Sequence, residues 1–208
     1  MTHPLTGELP KIILASTSIF RKQLLEKLGL PFDQLNPEIN ETPQTNESVQ
    51  KMTLRLSREK AEAVAKTTSD SLIIGSDQSA IFQDQPIGKP HTHQNAFQQL
   101  KQFSGQSIEF LTGLAVIDQR TQQIYKSLDS TRVHFRHLSD QDIENYLRTE
   151  TPYECAGSFK SEGLGITLFE RIESKDPNAL IGLPLIDLTT HLKACGIQLP
   201  LISHNKKN

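Results

Sequence analysis

The segment at residues 12–21 carries side chains suited to gripping phosphate. It reads as a short apolar strand, a hydroxyl-rich turn with Ser16 and Ser18, and a helix with Arg21 in its first turns. Free N–H groups at a helix start, two serine hydroxyls and a guanidinium together form a natural cradle for phosphate. The segment therefore predicts that the chain binds a nucleotide or another phosphorylated ligand.

Two further segments offer a base and a cation. Asp77 lies in Gly75-Ser76-Asp77-Gln78, directly after the apolar run 72–74, and we interpret it as a carboxylate at the end of a buried strand. Ligands of α/β folds bind at such ends, and a partly desolvated aspartate there could take a proton from water, although a turn-capping role is equally open. Lys89, in Gly88-Lys89-Pro90, suits a fixed charge near phosphate, while an exposed loop lysine is the commoner case.

Other chemistries have weaker signals. Residues 37–41, including Glu41, offer oxygen ligands for a hard divalent cation, with a solvated loop as the alternative. The pairs His91/His93 and His134/His137 lack a third zinc ligand at a telling distance, so we predict structural or surface roles for them. The sequence contains no Walker A motif and no Gly-x-Gly-x-x-Gly, which excludes a standard kinase or dehydrogenase, and without a Gly-x-Ser-x-Gly the signal for a serine hydrolase is weak.

The elements that must position these side chains alternate between strand and helix along the chain. Helices are predicted over 49–65, where Met52, Leu56 and Ala63 form one face, and over about 92–103, 139–147 and 184–194, with a first helix ending before Gly29. Strands are predicted at 12–14, at 72–74 with 80–82 as its hairpin partner, and at 108–118, 123–137 and 166–172. The alternation indicates an α/β fold with a mixed sheet.

Bulk properties narrow the setting. The 208 residues are 36% hydrophobic, which is enough for a core, and 22 basic against 24 acidic residues give a net charge of −2. That balance offers no global field for nucleic acid, so selectivity must come from a local pocket. No apolar run approaches the ~20 residues of a membrane span, the first residues lack an export pattern, and Cys155 and Cys195 have no metal-ligand spacing. We expect a cytoplasmic protein with neither a nucleic-acid nor a membrane partner.

Six segments in order resemble the Maf family of nucleoside triphosphate pyrophosphatases. They are 14–18 with Arg21, 37–41, Glu59-Lys60-Ala61, Gly75-Ser76-Asp77, Gly88-Lys89-Pro90 and Gly182-Leu183-Pro184-Leu185. The resemblance implies one Maf-like domain over residues 1–208, with a core of about 11–192 and loose termini. Its fold would be a mixed, elongated twisted sheet flanked by helices, Maf/Ham1-like, with a nucleotide cleft between two lobes. More narrowly, residues 75–78, 133–138 and 155–163 resemble the subgroup that hydrolyses 7-methyl-GTP.

The resemblance implies hydrolysis between the α- and β-phosphates, giving a nucleoside monophosphate and pyrophosphate without a covalent intermediate. Asp77 matches the family's proton acceptor and Glu41 its metal-side acid, with Mg, Mn or Co as the divalent cation. The phosphate-side residues are Ser16, Arg21, Lys60 and Lys89. Two positions depart from the family pattern: Ile19 replaces a proline at the helix start, and Asn40 replaces an acidic residue.

Base selection has its own physical rationale. N7-methylation makes guanine cationic, so an aromatic face and a nearby carboxylate favour it over plain guanine. The family's specificity positions fall on Phe20, Gln78 and Glu162, which supply a ring, an amide and a carboxylate. Two alternatives stay open: a pyrophosphatase for other modified or canonical triphosphates, and a non-catalytic nucleotide-binding regulator of septum formation. The physiological substrate, the metal and the oligomeric state, a homodimer included, are left undecided.

Overall fold

A computed structural model describes residues 9–201 of the chain. The predicted loose termini concern residues 1–8 and 202–208, which lie outside this range. Strands and helices alternate along the chain. The strands are β1 (Lys11–Ala15), β2 (Asp33–Leu35), β3 (Ser71–Phe82), β4 (Gln85–Ile87), β5 (Ser107–Asp118), β6 (Gln123–Phe135) and β7 (Phe169–Glu173), and the helices are α1 (Ile19–Glu26), α2 (Val49–Ala65), α3 (His93–Phe103), α4 (Asp140–Glu150) and α5 (Leu185–Ala194). Between residues 9 and 201, none of the helices is long and apolar enough to cross a membrane.

The strands form one mixed sheet, as the sequence predicts. Its order is β2-β1-β3-β5-β6-β7, and β4 pairs with the end of β3. β1 runs parallel to both β2 and β3, whereas β3, β5, β6 and β7 are antiparallel neighbours. The helices pack on this sheet, so the predicted fold class of a mixed α/β sheet flanked by helices is confirmed.

Two apolar clusters share one face of the long strands and define two lobes. The first joins α1 and α5 to Leu72, Ile74, Leu114 and Val116. The second joins α3 and α4 to Ala80, Ile108 and Phe110, and includes the packed rings of Phe135, Phe159 and Phe169. Because alternate residues of a strand share a face, Ser76, Gln78 and Thr112 lie between the two clusters. The lobes therefore meet at a polar junction in the middle of β3 and β5.

The opposite face is covered by α2. Ala61 and Val64 pack there on Ile13, Ile73 and Ala115. The predicted bounds of α2 are confirmed, but the predicted face is only partly right. Its buried side is Thr53, Leu56, Ser57, Lys60, Ala61 and Val64. A helix with so many small and polar buried residues lies close to the sheet. Its buried lysine, Lys60, pairs with Asp77 and Glu41.

Two strand predictions need correction. β3 is continuous from Ser71 to Phe82, so residues 80–82 extend the strand of 72–74 and form a hairpin with β4. The last strand begins at Phe169, because residues 164–168 form a 3-10 helix. The chain turns tightly there: the N–H groups of Gly163 and Gly165 both donate to the Lys160 carbonyl.

Candidate active site

One cleft collects every side chain that the sequence singles out for chemistry. It has a volume of about 560 Å³, within the usual range for small-molecule sites. It opens at the junction of the two lobes. Its lining includes all nine predicted site residues: Ser16, Phe20, Arg21, Glu41, Lys60, Asp77, Gln78, Lys89 and Glu162.

Asp77 is not at a strand end, contrary to the prediction. It lies in the interior of β3, opposite Gly113 of β5. The parallel neighbour β1 stops at Ala15, level with Gly75, so β3 continues past the end of β1. The carboxyl end of β1 therefore creates the crevice, and Asp77 borders it from the side. The binding position expected for an α/β sheet is kept although the strand itself goes on.

Lys60 ties two carboxylates together at the floor of the cleft. Its ammonium lies 2.6 Å from Asp77 Oδ1 and 2.8 Å from Glu41 Oε1. The side chains of Lys60 and Asp77 are each 8% exposed, whereas that of Glu41 is 58% exposed. Among the described residues Asp77 Oδ2 accepts no hydrogen bond, and it is not among the buried unpartnered atoms. One oxygen of Asp77 is thus held and the other is accessible from the cleft.

Two glycines let α2 approach closely enough for this pairing. A Cβ on Gly75 would lie 2.2 Å from the Ser57 carbonyl oxygen, and one on Gly113 would lie 2.7 Å from that of Thr53. Any larger residue would push α2 off the sheet and draw Lys60 away from Asp77. Gly75 in the Gly75-Ser76-Asp77 motif is therefore needed for helix packing.

The start of α1 has the predicted form of a phosphate cradle. Ser18 caps the helix and accepts from the Arg21 N–H, while Ser16 Oγ accepts from the Ser18 N–H. Within residues 9–201, the N–H groups of Ile19 and Phe20 donate to no protein group. Ile19 occupies the first helical position, so it leaves a donor that a proline would lack.

Arg21 is held from two sides. Its Nε donates to the Gly182 carbonyl at 2.9 Å, and one terminal nitrogen lies 3.5 Å from Ser16 Oγ. Burial lowers the pKa of Arg21, although the charges of Asp77 and Glu41 oppose that shift. A guanidinium remains protonated in any case, so Arg21 is a fixed cation in the lining of the cleft.

Glu41 has the electrostatics of a carboxylate that stays ionised. Burial is the largest single effect and acts to raise its pKa, whereas the hydrogen bond and the charge of Lys60 act to lower it. The charges of Arg21 and Lys89 lower the pKa further, so the net shift is downward. The neighbouring Asn40 uses its side-chain oxygen to accept from the N–H and hydroxyl of Thr42, which shapes the loop.

Phe20, Glu162 and Lys89 line the cleft from three different segments of the chain. Phe20 is half-buried and belongs to none of the three apolar clusters, so it is not a core phenylalanine. Glu162 is exposed on a loop that Glu150 fixes by accepting from Lys160 Nζ and the Leu164 N–H. Lys89 is 54% exposed and lies 3.9 Å from Glu154.

Two of the histidines contact neighbouring polar side chains. His93 contacts Tyr153 and Glu144, and His134 contacts Ser107 and Glu173. Cys155 and Cys195 are both free. Across residues 9–201 there is no group of three or more His, Cys, Asp or Glu side chains arranged to hold a metal ion.

Sequence reasoning missed a set of residues behind the site. The carbonyls of Ala179, Leu180 and Gly182 accept hydrogen bonds from Ser76, Gln78, Thr112 and Arg21. The Gly182-Leu183-Pro184 motif was a signal for this loop, but its function there is carried by backbone oxygens. No pattern of side chains could have indicated them.

The chain is similar in sequence to known proteins. Residues 11–195 match the family described as Maf-like protein. A 7-methyl-GTP pyrophosphatase of Hydrogenovibrio crunogenus is 65% identical over 95% of this chain and 98% of its own length. Another from Colwellia psychrerythraea is 53% identical over 89% and 93%. Among solved structures, a HAM1 protein from Coxiella burnetii aligns at 13% identity with a TM-score of 0.48, over 89% of this chain and 100% of that one.

Proposed function

The chain belongs to the Maf family, and we propose that it is an enzyme that hydrolyses 7-methyl-GTP to 7-methyl-GMP and pyrophosphate. Relatives named 7-methyl-GTP pyrophosphatase are 53–65% identical over most of the chain. The observation that carries the proposal is the Lys60 bridge, which fixes Asp77 beside a cleft lined with cations. A protein that only senses a triphosphate would gain nothing from a carboxylate beside its phosphate oxygens.

Asp77 is the proposed proton acceptor. Lys60 holds its Oδ1, so the accessible Oδ2 is oriented to take a proton from a water molecule in the cleft. The water oxygen then bonds to the α-phosphorus, the bond from that phosphorus to the α,β-bridging oxygen breaks, and pyrophosphate leaves. A positioned base of this kind contributes roughly 10²–10⁴ in rate.

The phosphate chain must be neutralised before an anionic carboxylate can act near it. Arg21 and Lys89 supply cations, and the free N–H groups of Ile19 and Phe20 supply fixed dipoles at the α1 start. Lys60 spends two of its three N–H donors on Glu41 and Asp77, so one remains for a phosphate oxygen.

The donor set fits a divalent metal that arrives with the nucleotide. Glu41, which lies beside Lys60 at the floor of the cleft, offers hard oxygen ligands, while Asp77 is kept as the base. Mg²⁺ is commonly held by one or two carboxylates together with substrate phosphates and water. When bound, such an ion would neutralise phosphate charge and polarise the reacting phosphoryl group.

The base end of the proposal uses Phe20 and Glu162. A half-buried ring that is not part of the core can stack on a cationic base, and an exposed carboxylate on the rim complements its charge. Both contacts are stronger for 7-methylguanine than for neutral guanine. This difference in charge is the physical reason to favour 7-methyl-GTP over GTP.

The proposal is tested by a panel of methylated and unmethylated triphosphates incubated in ¹⁸O-labelled water. We expect 7-methyl-GTP to have the highest kcat/KM, with monophosphate and pyrophosphate as products and the label in the monophosphate. Diphosphate plus phosphate would place the cleavage at the wrong bond. Label in pyrophosphate would mean attack at the β-phosphorus, and binding without products would mean a sensor.

A further inference from the structure

The polar junction between the two lobes is closed by one segment of backbone, residues 178–182. Thr112 is 1% exposed and donates its hydroxyl to the Ala179 carbonyl at 2.9 Å. Gln78 Nε2 lies 2.9 Å from that same oxygen and 3.0 Å from the Leu180 carbonyl oxygen. It also lies 3.1 Å from Thr112 Oγ1. The amide nitrogen of Gln78 is therefore surrounded by three oxygens of the protein.

These partners fix which end of the amide faces the cleft. A backbone carbonyl only accepts hydrogen bonds, so a rotated amide would put an oxygen against two others. The Thr112 hydroxyl donates its one hydrogen to the Ala179 carbonyl, so toward Gln78 it can only accept. Among the described residues Gln78 Oε1 accepts no hydrogen bond, and it is not among the buried unpartnered atoms. The oxygen is thus the end presented to a ligand.

We propose that Thr112 is a positioning residue for base recognition: with the carbonyls of residues 179 and 180, it makes Gln78 a pure hydrogen-bond acceptor toward the nucleobase. The inference rests on the proposed function, since it assumes that the base of a nucleotide reaches Gln78. Thr112 itself is behind Gln78 and acts through it.

An acceptor at this place selects a class of base. Guanine presents N1–H and N2–H₂ as neighbouring donors, whereas adenine in the same orientation presents the N1 lone pair and C2–H. Gln78 Oε1 therefore favours guanine by a contact that adenine cannot make. If the oxygen met position 6 of the ring, the preference would reverse, because guanine has a carbonyl there and adenine has an amino group.

The test measures binding, so that it does not depend on turnover. The α,β-methylene analogues of GTP and ATP cannot be split between those phosphates, and their Kd values are measured by calorimetry for each variant. We expect Thr112→Val to reduce the guanine-over-adenine ratio by about 2- to 10-fold, the effect of one neutral hydrogen bond. Thr112→Ser keeps the hydroxyl and should restore the wild-type ratio. Thr53→Val, which removes another fully buried threonine hydroxyl, bonded to Val49 and Ser79, should leave the ratio unchanged.

Gln78→Glu gives a second test if Thr112→Val does not fold. The nearly isosteric carboxylate would set an oxygen against the two carbonyls, so we expect the affinity for the guanine analogue to fall at least about tenfold, as for other unsatisfied buried polar groups. Unchanged binding in Gln78→Glu, or an unchanged ratio in folded Thr112→Val, overturns the proposal. An equal fall of the ratio in Thr53→Val does so as well.

The two proposals fail in different ways. If the wild type splits 7-methyl-GTP but binds both analogues equally, the acceptor role of Gln78 is wrong and the pyrophosphatase stands. If the wild type prefers the guanine analogue but releases no pyrophosphate, the recognition stands and the proposed reaction is wrong. If it binds neither analogue and releases no pyrophosphate from 7-methyl-GTP, both are wrong.

Discussion

Replacing Asp77 with asparagine separates the proton acceptor from the packing around it. Asparagine has nearly the same shape as aspartate and can still accept a hydrogen bond from Lys60. Glu41 is unchanged, so Lys60 also keeps a charged partner. Water in the cleft loses its base. We expect kcat for pyrophosphate release from 7-methyl-GTP to fall by about 10²–10⁴. Kd for the α,β-methylene analogue of GTP should change much less.

The effect on stability follows from the same contacts. Breaking a buried ion pair by removing one partner costs about 3–5 kcal/mol when the remaining charge has no compensation. Here Lys60 retains Glu41 and a neutral acceptor, so the loss should be nearer that of a hydrogen bond to a charged group, about 1–3 kcal/mol. For a chain of 208 residues this lowers Tm by roughly 2–12 °C. The assay temperature must lie well below that range.

Asp118→Asn is the matched control. Asp118 is also a buried carboxylate, 2% exposed, and pairs with Arg120 at 2.7 Å on the part of β5 that extends beyond the cleft. We expect it to cost stability and to leave kcat unchanged. A folded Asp77→Asn protein with kcat within tenfold of the wild type would remove Asp77 from the mechanism, and a comparable loss in Asp118→Asn would assign the effect to the fold.

Three further predictions address the other parts of the cleft. Arg21→Ala and Lys89→Ala should lower kcat/KM for all triphosphates alike, since both are proposed to contact phosphate. A loss confined to one base would place them at the wrong end of the ligand. Glu41→Gln should raise the metal concentration needed for half-maximal rate, and identical metal titrations of the two proteins would exclude Glu41 as a ligand. Because the pKa of Glu41 is lowered, the wild type should keep its metal response as pH falls to the ordinary glutamate pKa. Phe20→Leu should reduce the kcat/KM ratio of 7-methyl-GTP over GTP by about 2- to 30-fold, equivalent to roughly 0.5–2 kcal/mol. Glu162→Gln should add to this loss. An unchanged ratio in both variants would refute the proposal that Phe20 and Glu162 recognise the cationic base.

Local signals located most of the fold. The helix over 49–65 was predicted with its observed bounds, and the serines at positions 18, 48 and 139 each accept from the N–H of the third residue of their helix. The apolar alternation in β5 and β6 gave their extents to within two residues at either end. The errors occurred where tertiary packing overrides a local sequence signal. Gly75 resembles a strand end, but it is a site of close approach for α2, so β3 runs on through Asp77.

The sequence by itself determined the residue types of the site, because a triphosphate demands cations, hydroxyls and a base in any fold. Only the tertiary structure decided how they are paired. The pairing of Lys60 with Asp77 depends on the packing of α2 on Gly75 and Gly113, which brings the two side chains together. Likewise, the orientation of Gln78 is set by carbonyls about a hundred positions away in the chain. Backbone oxygens are present at every residue, so their role depends on where the chain passes, and no pattern of side chains encodes that directly.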